Sequence, residues 1–89
     1  MPHYTYIVRC ADKTLYTGYT NNLDRRILRH NKKQGAKYTA GRIPVKLVYF
    51  EKFATLNAAR KREAEIQSWR KKNKENLIKF GRTIKPTNH

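Results

Sequence analysis

Few residues of this chain can do chemistry, and one carboxylate stands out. In LNAARKREAEIQ the apolar residues Leu56, Ala59 and Ile66 recur at helical spacing. At about 100° per residue, Glu63 falls in the middle of their stripe. Carboxylates rarely sit on a core-facing stripe unless they are paired or bind a metal. Two uses are therefore open for Glu63: a structural ion pair, with Arg26 as a partner, or a cation ligand. Glu65 falls on the opposite face, where a solvated carboxylate belongs. The other acids read as structural: Asp12 in a turn, Asp24 at a helix start, Glu51 at a strand end, and Glu75 in the first turn of a last helix. With no clustered carboxylates, a two-metal phosphoryl-transfer site does not fit. A single hard cation held by one carboxylate, waters and a substrate phosphate does, as Mg²⁺ often binds. No zinc-ligand set, P-loop or serine-nucleophile motif is present.

The elements that would position these groups follow from pattern. Tyr4 to Cys10 is rich in aromatic and β-branched residues and reads as a strand; Thr14 to Tyr19 reads as its return. With Ala11, Asp12 and Lys13 as the loop, Cys10 faces Thr14, Tyr6 falls opposite Gly18 and Tyr16 opposite Val8. Tyr6 and Tyr16 then share one face as diagonal neighbours, with an open space at Gly18. In TNNLDRRILRHN, Asn21 or Asn22 caps a helix and Asp24 suits its positive first turn. Leu23, Ile27 and His30 form its inward stripe with Arg26 at the edge, while Arg25 points away. KKQGAKYTAGRIP reads as a basic loop, in which Tyr38 and the glycines shape either a substrate loop or a turn. VKLVYFE reads as a third strand. Thr55 caps a helix to about Arg70, with Trp69 as a packing anchor, and Asn73 caps a short last helix.

Of 89 residues, 21 are Lys or Arg and six are Asp or Glu, a formal net charge of +15. Such an excess repels itself and calls for a polyanion: nucleic acid first, an anionic membrane surface second. The single cysteine, Cys10, permits no internal disulfide and reads as a small buried hydrophobe. No apolar run is long enough to span a membrane and no signal peptide is evident, so a soluble cytoplasmic protein without a membrane partner is expected. We expect one domain over residues 1–80 and a loosely ordered tail over 81–89. His3 and His89 lie near the ends and read as incidental.

Tyr4-Thr5-Tyr6, Tyr16-Thr17-Gly18, Arg26 and Glu63 together resemble the signature of the GIY-YIG nucleases. The run from Tyr4 to about Phe80, with RRILRHN, GAKYTAGRIPVKLVYFE and AARKREAEIQ, is most similar to the small stand-alone GIY-YIG proteins of bacteria. It also resembles the nuclease subunit of the eukaryotic structure-specific resolvase. The resemblance implies an α+β fold: a three-stranded antiparallel sheet flanked by helices, with the site on one sheet face. It further implies that a motif tyrosine activates or positions water, the arginine supports the scissile phosphate, and the glutamate binds one Mg²⁺ or Mn²⁺. Carried over, these roles fall on Tyr6, Tyr16, Arg26 and Glu63, with His30 assisting. Tyr4 stands where the family's first glycine is expected. Which tyrosine is the base stays open.

A tyrosine of ordinary pKa ~10 acts as a base at neutral pH only with positive charge beside it. Arg26, a protonated His30 and the cation would supply that charge. For nucleic-acid binding we expect Lys32, Lys33, Lys37, Arg42, Arg60 and Lys61. The expected activity is metal-dependent cleavage of branched, nicked or single-stranded DNA, alone or with a protein partner or second copy. The alternative is a nucleic-acid-binding module whose nuclease site is vestigial or partner-dependent.

Overall fold

The computed structural model describes residues 2–81. Its elements are β1 (His3–Arg9), β2 (Leu15–Thr20), α1 (Leu23–Asn31), α2 (Lys37–Ala40), β3 (Lys46–Phe53), α3 (Leu56–Gln67) and α4 (Lys71–Phe80). The expected tail lies outside the described residues from Arg82 onward, as does His89.

Strand β1 lies at the centre of a three-stranded antiparallel sheet of order β2-β1-β3. Thr5, Tyr6, Ile7 and Val8 are all buried, because helices cover both faces of this strand. On one face Tyr6, Val8, Cys10 and Val45 form a cluster closed by Tyr16 and by Leu23 and Ile27 of α1. On the other, Ile7, Ile66 and Leu77 pack with Trp69, Tyr49 and Val48, under α3 and α4. Cys10 and Trp69 therefore take the packing roles that the sequence suggests. The Thr5 hydroxyl donates to the Ala59 carbonyl at 2.7 Å, tying β1 to α3 inside the core.

Helix α1 is capped by Asn22, whose side chain accepts from the Arg25 amide, and α3 by Thr55, whose side chain accepts from the Ala58 amide. Several expectations need correction. Helix α3 ends at Gln67, not near Arg70, because Ser68 and Trp69 close a tight turn that brings the indole onto the Ile7 cluster. Asn73 lies inside α4, which starts two residues earlier with Arg70 as its N-cap. Glu75 is past the first turn and forms a two-bond fork with Arg9, both bonds 2.7 Å. Glu51 lies within β3 and pairs with Arg62 through two hydrogen bonds. Leu56 is exposed, so the inward stripe of α3 narrows to Ala59 and Ile66. The basic loop contains a helical turn, α2, whose Thr39 is fully buried.

Removing the Thr5 hydroxyl should expose the cost of an unmade buried bond. Thr5→Val is expected to destabilise the fold by about 1–2 kcal/mol, measured as a lower urea midpoint with unchanged slope. An unchanged midpoint would show that the bond contributes nothing.

Candidate active site

The β1–β2 hairpin has the register expected from its loop: Tyr6 pairs with Gly18 and Val8 with Tyr16. The two phenol rings share a face, their centroids 6.5 Å apart. The space beside Gly18 is not open, however, because the end of the Tyr6 ring fills it. A Cβ at Gly18 would lie 2.6 Å from Tyr6 Oη and 3.1 Å from Tyr16 Cε2. Only a residue without a side chain lets the Tyr6 hydroxyl sit there.

That hydroxyl belongs to a buried chain of hydrogen bonds. Arg26 Nε donates to Tyr6 Oη at 3.1 Å. Tyr6 Oη lies 2.8 Å from His30 Nε2, and His30 Nδ1 lies 2.8 Å from Thr39 Oγ1. Thr39 Oγ1 lies 3.0 Å from the Ala36 carbonyl, which can only accept. One arrangement of protons satisfies every contact. Thr39 donates to Ala36, so it accepts from Nδ1–H of His30; Nε2 is then bare and accepts the Tyr6 proton. The Tyr6 oxygen, its proton turned toward His30, accepts from Arg26. Gly35 lets the neighbouring loop close over the imidazole: a Cβ there would lie 2.3 Å from Nδ1.

Burial lowers the His30 pKa to about 4, and the nearby Arg26 charge acts in the same direction. Burial pushes the Tyr6 phenol up to about 12 against the opposing pull of Arg26. For Tyr6 the Arg26 charge by itself does not lower the phenol, since removal from water outweighs the guanidinium. His30 serves as a neutral acceptor. Tyr6 is inaccessible to solvent, whereas Tyr16 is partly exposed in a groove with Tyr38, Gln67 and Lys74. The Arg26 guanidinium interacts with both phenols.

Glu63 comes from α3, on the sheet face opposite α1, yet its charge reaches the Tyr6 hydroxyl. Its salt bridge to Arg26 is not formed. Instead Gln67, one turn on, donates to Glu63 Oε2, and the same amide nitrogen donates to the Thr17 carbonyl of β2 at 3.2 Å. Partial burial raises the Glu63 pKa, opposed by Gln67 and Arg60. A partly buried carboxylate held by an amide rather than an arginine suits a single hard cation, which would also draw on waters and a phosphate. Among the described residues no group of three His, Cys, Asp or Glu side chains comes together as a metal cluster.

Of the cations expected to bind nucleic acid, Lys32, Lys33, Lys37, Arg60 and Lys61 are exposed. Arg42 is committed within the fold: it pairs with Asp12 at 3.0 Å, donates to the Tyr38 carbonyl at 2.7 Å and covers the Tyr38 ring at 4.1 Å. Sequence reasoning missed Thr39, Gly35 and Gln67. Gln67 follows Glu63 at helical i, i+4 spacing, a readable signal. Thr39 and Gly35 carry none, because their partner His30 is met only across a loop.

Residues 2–76 match the family model described as the GIY-YIG catalytic domain. The chain belongs to the GIY-YIG nuclease family. Its relatives include the UPF0213 protein of Haloquadratum walsbyi, 52% identical over 82 residues, 92% of each chain. The UPF0213 protein of Bacillus pumilus is 45% identical over 98% of this chain and 89% of its own. Among solved structures, the solution NMR structure of the UPF0213 protein BH0048 from Bacillus halodurans is similar, with 42% identity and a TM-score of 0.59. It is matched over 90% of this chain and 85% of its own. The NMR structure of EF2693 from E. faecalis has 37% identity and a TM-score of 0.62, over 100% of this chain and 96% of its own. The three-stranded antiparallel sheet flanked by helices is the GIY-YIG architecture that the sequence motifs imply.

Two outcomes follow from this GIY-YIG site. Gly18→Ala should cost about 1–3 kcal/mol by forcing Tyr6 off its bonds, read from denaturant unfolding; an unperturbed midpoint would contradict the close approach. His30 should be a neutral Nδ1–H imidazole at pH 7, visible in its ¹⁵N shifts, and should not titrate above about pH 5. Its folded pKa lies below the unfolded value, so the unfolded chain takes up a proton first. Its contribution is intact above about pH 6.5 and is lost as pH falls toward about 4, roughly 3 kcal/mol in all. A pyridine-like Nδ1 at pH 7 would overturn the proton assignment.

Proposed function

We propose that this protein is a divalent-cation-dependent endonuclease that hydrolyses DNA phosphodiester bonds and selects strand structure rather than base sequence. One observation carries the reading: the buried chain from Thr39 through His30 and Tyr6 ends on Arg26 Nε. Nε is held by Tyr6 and the guanidinium also interacts with Tyr16; its remaining donors can hold a phosphate, an anion that guanidinium serves well. A guanidinium fixed beforehand stabilises charge developing on the phosphorane without reorganising.

Tyr16, the phenol open to the groove, orients the attacking water, whose oxygen bonds to phosphorus as the ester P–O bond breaks; the water gives up a proton to solvent and the departing oxygen takes one from it. Tyr6 is the positioning phenol behind Arg26. Glu63 would hold the cation, steadied by Gln67; that ion supplies Lewis acidity and charge neutralisation at the phosphate. Around the site Arg26 and Lys74 supply cations and Tyr16 and Tyr38 supply phenols, groups suited to phosphate and sugar rather than to base edges. This composition supports selection by strand geometry. The uncompensated charge also supports the reading as a binding module, which the same assay separates.

Labelled branched, nicked, single-stranded and duplex DNA should be incubated with Mg²⁺ or Mn²⁺, and with chelator. Cleavage of one or more of the non-duplex forms is expected only with metal. Arg26→Ala should slow it by about 10²–10³, and Glu63→Gln and Tyr16→Phe should each reduce it in protein that remains folded. Binding without cleavage would leave a nucleic-acid-binding module. Cleavage that survives Glu63→Gln would remove Glu63 from the metal site.

A further inference from the structure

All six acidic residues of the chain lie among the described residues. Four are held by arginines: Asp12 by Arg42, Glu51 and Glu65 by Arg62, and Glu75 by Arg9. Glu63 is held by Gln67. The arginines of α1 receive none of this negative charge. Arg25, Arg26 and Arg29 have no ion-pair partner among the described residues. The three nevertheless converge on one concavity of about 160 Å³, bordered by Tyr19 and Asn21, and Asp24 does not line it. Three cations gathered around a hollow without a counter-charge repel one another. A bound anion would reverse that cost.

We infer that this concavity is a second phosphate subsite, taking the DNA phosphodiester adjacent to the one at Arg26. Its placement beside a scissile phosphate rests on the nuclease reading above; its affinity for phosphate does not. Arg26 joins the two sites, since it lines the concavity and also bonds to Tyr6. Arg25 and Arg29 are four residues apart on one helix, and Arg26 and Arg29 three, so their side chains are neighbours about 5–6 Å apart at Cβ. A strand lying along α1 therefore meets arginine after arginine. Arg25, which the sequence pattern turns away from the core, is turned toward this strand.

The test measures binding of a fluorescent single-stranded oligonucleotide from low to high salt, without metal so that nothing is cut. Arg25→Gln/Arg29→Gln is compared with Lys46→Gln/Lys52→Gln, which removes the same charge from exposed positions on β3. The arginine pair is expected to lose about tenfold or more in affinity. Its log–log salt slope should flatten by about 0.7, the one phosphate of the subsite on a single strand. The lysine pair should change neither by more than a small fraction of that. Equal losses in the two pairs, or an unchanged slope in the arginine pair, would overturn the subsite. Wild-type cleavage, run separately with metal, reports on the nuclease reading alone. Binding with the expected slopes but no cleavage would overturn that reading and leave the subsite standing. Cleavage with an unaltered slope would do the reverse.

Discussion

The Tyr6 hydroxyl ties the candidate site together. This one oxygen joins the central strand to helix α1 twice, by accepting from Arg26 and donating to His30. A polar network buried away from water stabilises a fold only when every member has its partner. Here the last partner lies across a loop: Thr39, on the turn of helix that follows α1, fixes the imidazole tautomer and through it the direction of the phenol proton. Both close approaches need the absence of a side chain. Gly18 makes room for the phenol and Gly35 for the imidazole, so each glycine has a specific atom to admit. Neither position has a left-handed backbone; space, not conformational freedom, is what glycine supplies.

Charge is distributed with the same economy. Arg9–Glu75 ties α4 to β1, Arg62–Glu51 ties α3 to β3, and Arg42–Asp12 ties the hairpin turn to the segment after α2. Arg9–Glu75 and Arg42–Asp12, both partly exposed, stabilise only modestly, whereas Arg62–Glu51 is the more buried pair. Their larger consequence is that four of the six acids are taken up by structural arginines, which leaves the arginines of α1 without an ion-pair partner among the described residues. The one carboxylate near the phenols is held by an amide, which steadies it without neutralising its charge.

The two faces of the sheet divide the work. The α1 face carries the phenols, Arg26 and His30, while the α3 face supplies the tighter aliphatic packing of Ile7, Ile66 and Leu77. Glu63 belongs by its helix to the second face and by its charge to the first. The phenols and the arginine lie together on the α1 face, and the glutamate comes to them from the helix on the other. The β2 strand is the reason: as an edge strand it has no neighbour on its outer side, and Gln67 reaches its Thr17 carbonyl from α3.

Much of this was legible in the sequence because it depends on local periodicity. A three-residue loop and the alternation of a strand set the partners of Tyr6 and Tyr16, and helical spacing put His30 one turn beyond Arg26 on the inward side. The +15 charge follows from composition alone. What periodicity cannot report is a contact made across a loop. The pairing of Thr39 with His30, the use of Gly35 and the protonation of His30 all depend on how loops and helices pack. Protonation depends further on how completely that packing excludes water. The sequence alone determined which side chains could meet. Tertiary structure decided which of them hold a proton, which hold a charge, and which remain open to a substrate, because those properties belong to the space between elements.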